Sequence, residues 1–249
     1  MSDAGDSREG KTRFSERAQA YAASRPSYPK PAIDALLRGL GPEDRLIVAD
    51  VGAGTGISAN LLAQRVANVI AVEPNAAMRE KAQALPNVHW EDGSAEALPL
   101  PDKSVDLAVA FQAFHWFDPL RAFGEFARAA RRRIGLVQYE RDEAQPFSAA
   151  YSLIVRRYAL DDTEALRVRT LETFKKLARG ALRESVVPSK HRLTLEGVIG
   201  RVDSSSYLPH EGEPAQALRA KMRDLFERFA RDGYVDMAMN VYVLAADVA

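Results

Sequence analysis

Short apolar runs and amphipathic helical patterns alternate along the first part of the chain. The runs RLIVADVGA, NVIAVEP and VDLAVAFQ are short and rich in Val, Ile and Ala, and helical patterns such as ISANLLAQRV and DPLRAFGEFARAARR follow them. This alternation is typical of βαβ units, in which helices cover both faces of a parallel sheet. We therefore predict a doubly wound α/β fold.

The pattern changes near Pro146. Two consecutive helical patterns predict a helical insertion at about 146–184, and the second keeps apolar residues from Leu166 to Ala178, among them Leu171 and Phe174, near one face. Such an insertion is expected to cap a site. The terminal run YVDMAMNVYVLAADV predicts a strand, with SVVPSKHRLT as its antiparallel partner.

The N-terminal region differs from the rest of the chain. Residues 1–12 are small, polar and charged, and we expect them to be disordered. Residues 13–40 carry two short helical patterns separated by the Pro-rich SRPSYPKP, which predict N-terminal cap helices. The interpretation is a single domain over 13–249.

Composition excludes several classes of partner. The 249 residues contain 34 Lys and Arg and 34 Asp and Glu, so the net charge is zero and there is no basic excess of the kind that nucleic acids or anionic membranes select. Cys is absent, which excludes disulfides, thiolate metal sites and Cys nucleophiles. No apolar leader or membrane-length apolar run is present, so we expect a cytoplasmic protein without a nucleic-acid or membrane partner.

The most informative stretch is Asp50-Val-Gly-Ala-Gly-Thr-Gly56, at the end of the first predicted strand. Gly52 and Gly54 allow a tight turn and close approach of a ligand, and the following helix offers N–H donors. The spacing is G-x-G-x-G, with Ile57 where the dinucleotide fingerprint requires glycine. An amino-acid-bearing nucleoside fits this loop better than a pyrophosphate, with Asp50 accepting from an ammonium group or from loop amides.

Acidic residues follow the next two strands. Glu73 ends the second strand, where a carboxylate can bind both ribose hydroxyls. The third strand ends in Glu91-Asp92-Gly-Ser-Ala95, where a carboxylate and backbone amides can contact an adenine edge. One such feature per successive strand end is far more specific than any of them alone.

In this order the motifs resemble those of the class I S-adenosylmethionine-dependent methyltransferases, of the type 11 domain group. ADVGAGTG resembles their first motif, AVEP their second-strand acid, and DGSAEALPLPDKSVDLAVAFQAFHWFD their adenine and post-strand-four region. The resemblance covers about residues 14–141. FSERAQAYAASRPSYP and LEGVIGRVDSSSYLP further resemble the trans-aconitate methyltransferase-like branch. One departure is the lack of a Lys-Pro-Gly-Gly-like turn before strand five.

The resemblance implies a Rossmann-like seven-stranded, mostly parallel sheet with an antiparallel C-terminal strand and a helical cap. It implies S-adenosylmethionine as methyl donor, S-adenosylhomocysteine as product, and a small-molecule acceptor, with a carboxylate oxygen as the expected acceptor. We expect no metal, because no acidic pair of the kind that a catechol-type metal site needs follows strand four, and we expect a monomer or homodimer. The implied donor contacts are Tyr21, Asp50, Gly52, Ala53, Gly54, Thr55, Gly56, Glu73, Pro74, Met78, Asp92, Gly93, Ser94, Ala95 and Gln112.

The acceptor side carries candidates for catalysis and substrate contact. Arg25 is expected to hold an acceptor carboxylate through its planar guanidinium, with Tyr28 beside it. His115 follows strand four and is interpreted either as a pocket wall or acceptor contact, or as a general base for a phenol or enol. Trp116 and Tyr207 are further candidate substrate contacts, and HWF is expected to form an aromatic wall with Trp116 or Phe117 in the core.

Two other functions stay open at this point. An NAD-dependent oxidoreductase uses a similar sheet, although Ile57 counts against it. A catalytically silent S-adenosylmethionine-binding protein is the other, because methyl transfer depends on few specific side chains.

Overall fold

The computed structural model describes residues 27–178 and 182–248. Within these ranges, seven strands form one sheet in the order β3-β2-β1-β4-β5-β7-β6. The strands are β1 (Ile47–Val51), β2 (Asn68–Val72), β3 (Val88–Glu91), β4 (Val105–Phe111), β5 (Ala130–Arg141), β6 (Leu182–Leu193) and β7 (Val235–Asp247).

Eight α-helices accompany the strands within the described ranges. Two short 3₁₀ turns, Glu43–Arg45 and Phe114–Trp116, precede β1 and follow β4. The α-helices are α1 (Lys30–Leu37), α2 (Ile57–Ala63), α3 (Ala76–Arg79), α4 (Pro119–Ala129), α5 (Pro146–Tyr158), α6 (Thr163–Leu177), α7 (Leu195–Asp203) and α8 (Gly212–Phe229).

The strand directions confirm the predicted fold class. β1 runs parallel to β2 and β4, β2 to β3, and β4 to β5, whereas β7 is antiparallel to both β5 and β6. The predicted partner of the terminal strand is also confirmed, since Val186 pairs with Tyr242. The result is a mostly parallel, Rossmann-like sheet with one reversed C-terminal strand.

Alternation of side chains across the strands builds one apolar core on each face of the sheet. Val48, Leu107 and Val109 belong to the first core, which α1, α2, α5, α7 and α8 cover. Ala49 and Ala108 belong to the second, which α4 and α6 cover. The strand ends that carry the predicted site therefore sit between two packed layers.

The boundary between α4 and β5 differs from the prediction. The pattern DPLRAFGEFARAARR predicts a helix through Arg132, but α4 ends at Ala129 and β5 begins at Ala130. Arg133 lies in the strand and is 2% exposed. Its guanidinium donates to the carbonyl oxygens of Leu36 and Arg38 at 2.8 and 2.9 Å, and its Nε donates to Asp247 at 2.8 Å. These partners offset the cost of burying the charge.

The buried face of α6 is only partly the predicted one. Leu171 and Phe174 are buried as expected, but Leu166 is exposed, and Arg167 and Thr170 point inward instead. Arg167 is accommodated because it contacts the Glu140 carboxylate at 3.2 Å. The inserted helix thus brings a charge toward the end of β5.

Helix α8 has no counterpart among the predicted elements. Its buried residues are Ala215, Leu218, Met222, Leu225 and Phe226. They follow the helical period, so the pattern itself was available in the sequence. Among the described residues, no helix has the length and apolarity that crossing a membrane requires.

Candidate functional site

The glycine loop between β1 and α2 has the backbone conformation that the sequence requires. Gly52, Gly54 and Gly56 have φ of +72°, +58° and +85°. A Cβ at Gly52 would lie 2.7 Å from the Cβ of Ala113 and 2.9 Å from Cζ of Phe117. Only glycine fits at this position, both because φ is positive and because β4's exit packs against it.

The loop leaves space next to Gly54, whereas the side chains on either side of Gly54 are buried. A Cβ at Gly54 would meet only Met78, whose Sδ lies 3.7 Å away. Ala53, Thr55 and Met78 are buried, and Pro74 is half-buried at the end of β2. Among the described residues no side chain caps the start of α2. The predicted loop residues thus share one surface, on which a ligand can approach the backbone closely.

Asp50 is fully buried directly before this loop. Its Oδ2 accepts a 2.6 Å hydrogen bond from the Ser58 hydroxyl, and its Oδ1 has no hydrogen-bond partner within the described part of the chain. Burial raises the pKa of Asp50 to about 7, against the Ser58 hydrogen bond and with a smaller contribution from the charge of Glu73. A buried carboxylate oxygen in this state fits a ligand that brings a cationic or hydrogen-bonding donor.

Glu73 holds the loop together in this structure. Its two carboxylate oxygens accept hydrogen bonds from the backbone N–H groups of Gly54 at 3.0 Å and Asn75 at 2.9 Å. A carboxylate oxygen can accept more than one hydrogen bond, so these bonds do not contradict the expected ribose contact, which stays a prediction.

The predicted adenine region lies at the end of β3, beside β2. Asp92 is exposed and pairs with Arg79 at 3.2 Å, while Ala95 is buried and Ser94 forms a β-bridge with Ala97. A Cβ at Gly93 would lie 2.5 Å from Cδ of Pro99, so this turn also requires glycine. These residues are contiguous with the loop edge, and their contact with adenine stays a prediction.

Trp90 is a residue near the loop that the sequence interpretation missed. It lies on β3 and is half-buried, and its ring would lie 3.0 Å from a Cβ at Gly56. The signal available in the sequence was a single aromatic residue in a short predicted strand, which packing alone explains equally well.

The exit of β4 is tied to β5 by Gln112. This buried residue has φ of +51°, and its carboxamide accepts from the Tyr139 N–H at 2.9 Å and donates to the Tyr139 carbonyl oxygen at 3.3 Å. A side chain committed to both backbone groups fixes the turn that follows β4. Its predicted donor contact is not tested by these bonds.

The aromatic stretch after β4 divides between core and loop. Phe114, rather than Trp116 or Phe117, is the core ring: it is 1% exposed and its centroid lies 5.9 Å from Phe126. Phe117 is half-buried beside Gly52, and His115 is buried with its ring 4.9 Å from that of Trp116. The stretch therefore packs beside the glycine loop, and both its role as a pocket wall and proton transfer by His115 stay predictions.

Of the three candidate residues from the N-terminal region, one lies within the described residues. Tyr28 is buried, and its ring centroid lies 4.9 Å from Phe111 and 5.7 Å from Tyr139, at the carboxyl ends of β4 and β5. Tyr21 and Arg25 lie outside the described residues. Their predicted contacts with donor and acceptor stay predictions.

A second pocket lies beyond the end of β5, under the inserted helices. The pocket is partly open, and about 490 Å³ is its empty space with the adjoining open solvent included. Of the predicted substrate residues it contains Tyr207, but its three arginines were not predicted. Its lining consists of Tyr139, Arg141, Tyr151, Arg167, Arg201, Ser204, Ser205, Tyr207, Met237 and Met239.

Two of the arginines are fixed by carboxylates behind the lining. Arg141 pairs with Glu164 and donates to the Ser152 hydroxyl at 2.6 Å, and Arg167 contacts Glu140 at 3.2 Å. The Tyr207 hydroxyl donates to Glu164 at 3.1 Å. The guanidiniums are therefore held in place by ion pairs that are mostly shielded from solvent.

Two further titratable side chains at or behind this pocket are uncharged at neutral pH. Burial raises the pKa of the Tyr151 hydroxyl to about 12, so that group keeps its proton. Arg201 contacts Nδ1 of His191 at 3.0 Å, and burial, together with the charge of Arg201, lowers the pKa of His191 to about 4. Among the described residues, no group of three or more potential metal ligands is found.

Comparisons with known proteins agree with this arrangement. A family model described as a methyltransferase domain matches residues 49–133, from β1 to the start of β5. An uncharacterized methyltransferase of Mycobacterium tuberculosis is 38% identical over 197 residues, 78% of this chain and 76% of its own length. An uncharacterized methyltransferase-like protein of Schizosaccharomyces pombe is 32% identical over 76% of this chain and 75% of its own.

A solved structure shows the same fold over nearly the whole chain. A type II methyltransferase from Anaeromyxobacter dehalogenans superposes with a TM-score of 0.65 at 25% identity, covering 90% of this chain and 97% of that one. These relatives favour methyl transfer over the nicotinamide-dependent alternative. The chain belongs to the class I S-adenosylmethionine-dependent methyltransferases, with S-adenosylmethionine as its cofactor.

Proposed function

We propose that this methyltransferase methylates a small-molecule acid, at a carboxylate oxygen. The observation that carries the proposal is the second pocket. Among the described residues, its lining supplies three guanidiniums and includes no Asp or Glu, while Glu164 and Glu140 pair with two of the three from behind it. Planar guanidiniums bind carboxylates in a bidentate manner, so this lining suits an acidic acceptor better than an amine.

The donor is held by the crevice at the ends of β1 to β4. Asp50 accepts from the ammonium group, Glu73 binds the ribose hydroxyls, and Asp92 to Ala95 contact the adenine. The positive φ of Gly52 and Gly54 and the orphaned Oδ1 of Asp50 support this assignment. Gln112 supports the crevice wall through its two bonds to Tyr139.

A carboxylate acceptor removes the need for a general base. S-adenosylmethionine supplies an electrophilic methyl group, and an ionised carboxylate attacks it without prior deprotonation. The side chains then need only hold the acceptor in line and exclude water. In this mechanism His115 forms part of the wall and is not required as a base.

The proposal is tested by following donor consumption with a panel of carboxylic acids, phenols and amines. We expect turnover with acids only, together with calorimetric binding of S-adenosylhomocysteine and no binding of NAD. Turnover of a phenol or an amine in preference to every acid would overturn the carboxylate assignment. Binding of the product without turnover of any acid would instead support a silent donor-binding protein.

A matched variant separates the two roles of His115. For a carboxylate acceptor, His115→Gln should leave the shape of the pH–rate profile unchanged, because no proton is removed from the acceptor. Loss of a titration between about pH 6 and 7 in this variant would identify His115 as a base and favour a phenol or enol acceptor.

A further inference from the structure

We infer that Ser58 is a positioning residue for the methyl donor: its hydroxyl fixes the Asp50 carboxylate so that Oδ1 stays available to the donor's ammonium group. This inference rests on the donor placement in the proposed function, because Asp50 is the expected ammonium contact, and it does not depend on the acceptor. Ser58 is the second residue of α2 and is not one of the expected donor contacts.

The hydrogen bond between Ser58 and Asp50 is short and buried. Asp50 is fully buried and Ser58 is 5% exposed, and the hydroxyl donates to Oδ2 at 2.6 Å. A hydroxyl that donates to a carboxylate makes one of the stronger hydrogen bonds in proteins, so it restrains the rotation of the carboxylate. Holding Asp50 in one orientation in advance lowers the ordering cost of donor binding.

The neighbouring loop amides are bonded to other acceptors. The N–H groups of Gly52 and Ala53 donate to the carbonyl oxygen of Val72 at 2.8 and 3.2 Å. The N–H of Gly54 donates to the Glu73 carboxylate at 3.0 Å. Because these amides have acceptors elsewhere, and no other partner of Oδ1 is found within the described part of the chain, this oxygen is left for a ligand.

The surroundings of Asp50 favour a cationic ligand group. Asp50 is in register with Ala71 on β2 and Val109 on β4, which are both apolar. Burial and, to a smaller extent, the charge of Glu73 raise the pKa of Asp50, whereas the Ser58 hydrogen bond lowers it. An ammonium group would supply the positive charge that stabilises the ionised carboxylate in this setting.

Pairing with an ammonium group links donor binding to the protonation of Asp50. Because the pKa of Asp50 is raised to about 7, most of these carboxyl groups carry a proton at pH 6. Donor binding then transfers that proton to the buffer, since the ionised carboxylate pairs with the ammonium. Removal of the Ser58 hydroxyl should raise the pKa further, because its hydrogen bond favours the ionised form.

The inference is tested by calorimetry with S-adenosylhomocysteine, which carries the same ammonium group, between pH 5.5 and about 8.5. In Ser58→Ala we expect the midpoint of the pH dependence of affinity to move upward by about one pH unit. Affinity should then be about 10-fold lower than in the unaltered protein at pH 6, and the difference should shrink above about pH 8. A merely structural contribution of Ser58 would instead lower the affinity equally at every pH.

The number of protons released gives a second measurement with a distinct sign. Calorimetry in buffers of different ionisation enthalpy reports the protons released for each ligand bound. At about pH 8 the unaltered protein should release about 0.1 proton, because Asp50 is already ionised, whereas Ser58→Ala should release about 0.5. An equal release by the two proteins at this pH would contradict the role of Ser58.

Two further variants serve as controls. Ser58→Thr keeps the hydroxyl and should keep the midpoint of the unaltered protein. Ser148→Ala removes a buried hydroxyl that donates to the Ala238 carbonyl oxygen at 3.0 Å, on α5. It should leave the midpoint unchanged even if it lowers the melting temperature, and thermal melting of each variant reports its folding.

The possible results separate this inference from the proposed function. An unchanged midpoint in Ser58→Ala, with the unaltered protein titrating near pH 7, would overturn the role of Ser58 while the donor placement stands. If the unaltered protein shows no such titration, the ammonium does not lie at Asp50 and the inference fails with that placement. Because the ligand binds without an acceptor, a shifted midpoint supports the inference even if no acid in the turnover panel reacts.

Discussion

The donor crevice and the arginine-lined pocket are built by different means. In the crevice, backbone conformation dominates: Gly52, Gly54 and Gly56 adopt positive φ within five residues of the chain. In the pocket, side chains dominate, and Arg141, Arg167 and Arg201 arrive from β5, α6 and α7. One site is local in sequence and the other is assembled by the tertiary fold.

This difference explains which site can change without loss of the fold. The crevice requires particular backbone angles, so its sequence has few alternatives. The pocket requires only that charges balance and volumes fit, so different side chains can line the same scaffold. We expect relatives with this fold to share the crevice and to differ in the pocket.

The largest expected effect tests the ion pairs behind the pocket. Arg167→Met leaves Glu140 without its guanidinium in a largely buried position, 17% exposed on its side chain. We expect the free energy of unfolding in urea to fall by about 3 kcal/mol. The double variant Arg167→Met/Glu140→Met should recover much of the loss. A single-variant effect below about 1 kcal/mol would show that Glu140 is satisfied by its bond from Gln138.

The next effect tests the backbone constraint in the crevice. Gly52→Ala introduces a Cβ within 3 Å of two side chains at a positive φ, so S-adenosylhomocysteine affinity should fall by about 100-fold. Gly124→Ala is the control, because a Cβ there meets nothing within 4 Å and α4 gains a better helix former. Calorimetry that finds equal affinities for both variants would contradict the role of the loop.

The pH dependence of donor binding tests Asp50. Its pKa is raised to about 7, and only the ionised carboxylate attracts an ammonium group, so affinity for S-adenosylhomocysteine should rise with pH up to about 7, by at most about 10-fold per unit. Asp50→Asn should flatten the profile. Affinity that falls as pH rises would place the ammonium elsewhere.

The same shift has an opposite consequence for stability without ligand. Because the folded state binds the Asp50 proton more tightly than the unfolded state, its contribution to the free energy of unfolding is present below pH 4. That contribution is lost as pH rises toward about 7. Comparison of Asp50→Asn with the unaltered protein, by urea unfolding at several pH values, isolates this contribution.

The smallest effect tests one hydrogen bond of the pocket. Tyr207→Phe removes the hydroxyl that donates to Glu164 at 3.1 Å. We expect a loss of about 1 kcal/mol in the free energy of unfolding, with little change in donor affinity. A large loss of donor affinity would show that the crevice and the pocket are more strongly coupled than their construction suggests.

Sequence reasoning predicted correctly the features that depend on residues close together in the chain. The βαβ rhythm, the closing antiparallel pair and the G-x-G-x-G loop each depend on patterns within a few residues, and the fold confirms the strands that they predict. Gly52 has a positive φ at the place where the spacing of glycines predicts a tight turn.

Sequence reasoning failed where a partner that is distant in the chain determines whether a side chain is buried. The run of three arginines that ends at Arg133 is typical of a solvent-exposed helix end. Arg133 is nevertheless buried in a strand, because it donates to Asp247 and to the carbonyl oxygens of Leu36 and Arg38. Arg167 lies four residues before Leu171 and seven before Phe174, so the helical period places it on their buried face, but only Glu140 opposite it explains how a charge is accommodated there. No pattern within α6 or α7 contains that information.

The reversed strand β7 affects the order in which the two sites form. β1 to β4 pair with strands close in sequence, whereas Arg133 on β5 pairs with Asp247 on β7, more than a hundred residues later. Closing so long a loop is entropically costly and slow. Because Met237 and Met239 of β7 line the arginine pocket, we expect a refolding chain to acquire donor affinity before acceptor selectivity, an order that pulsed hydrogen exchange can resolve.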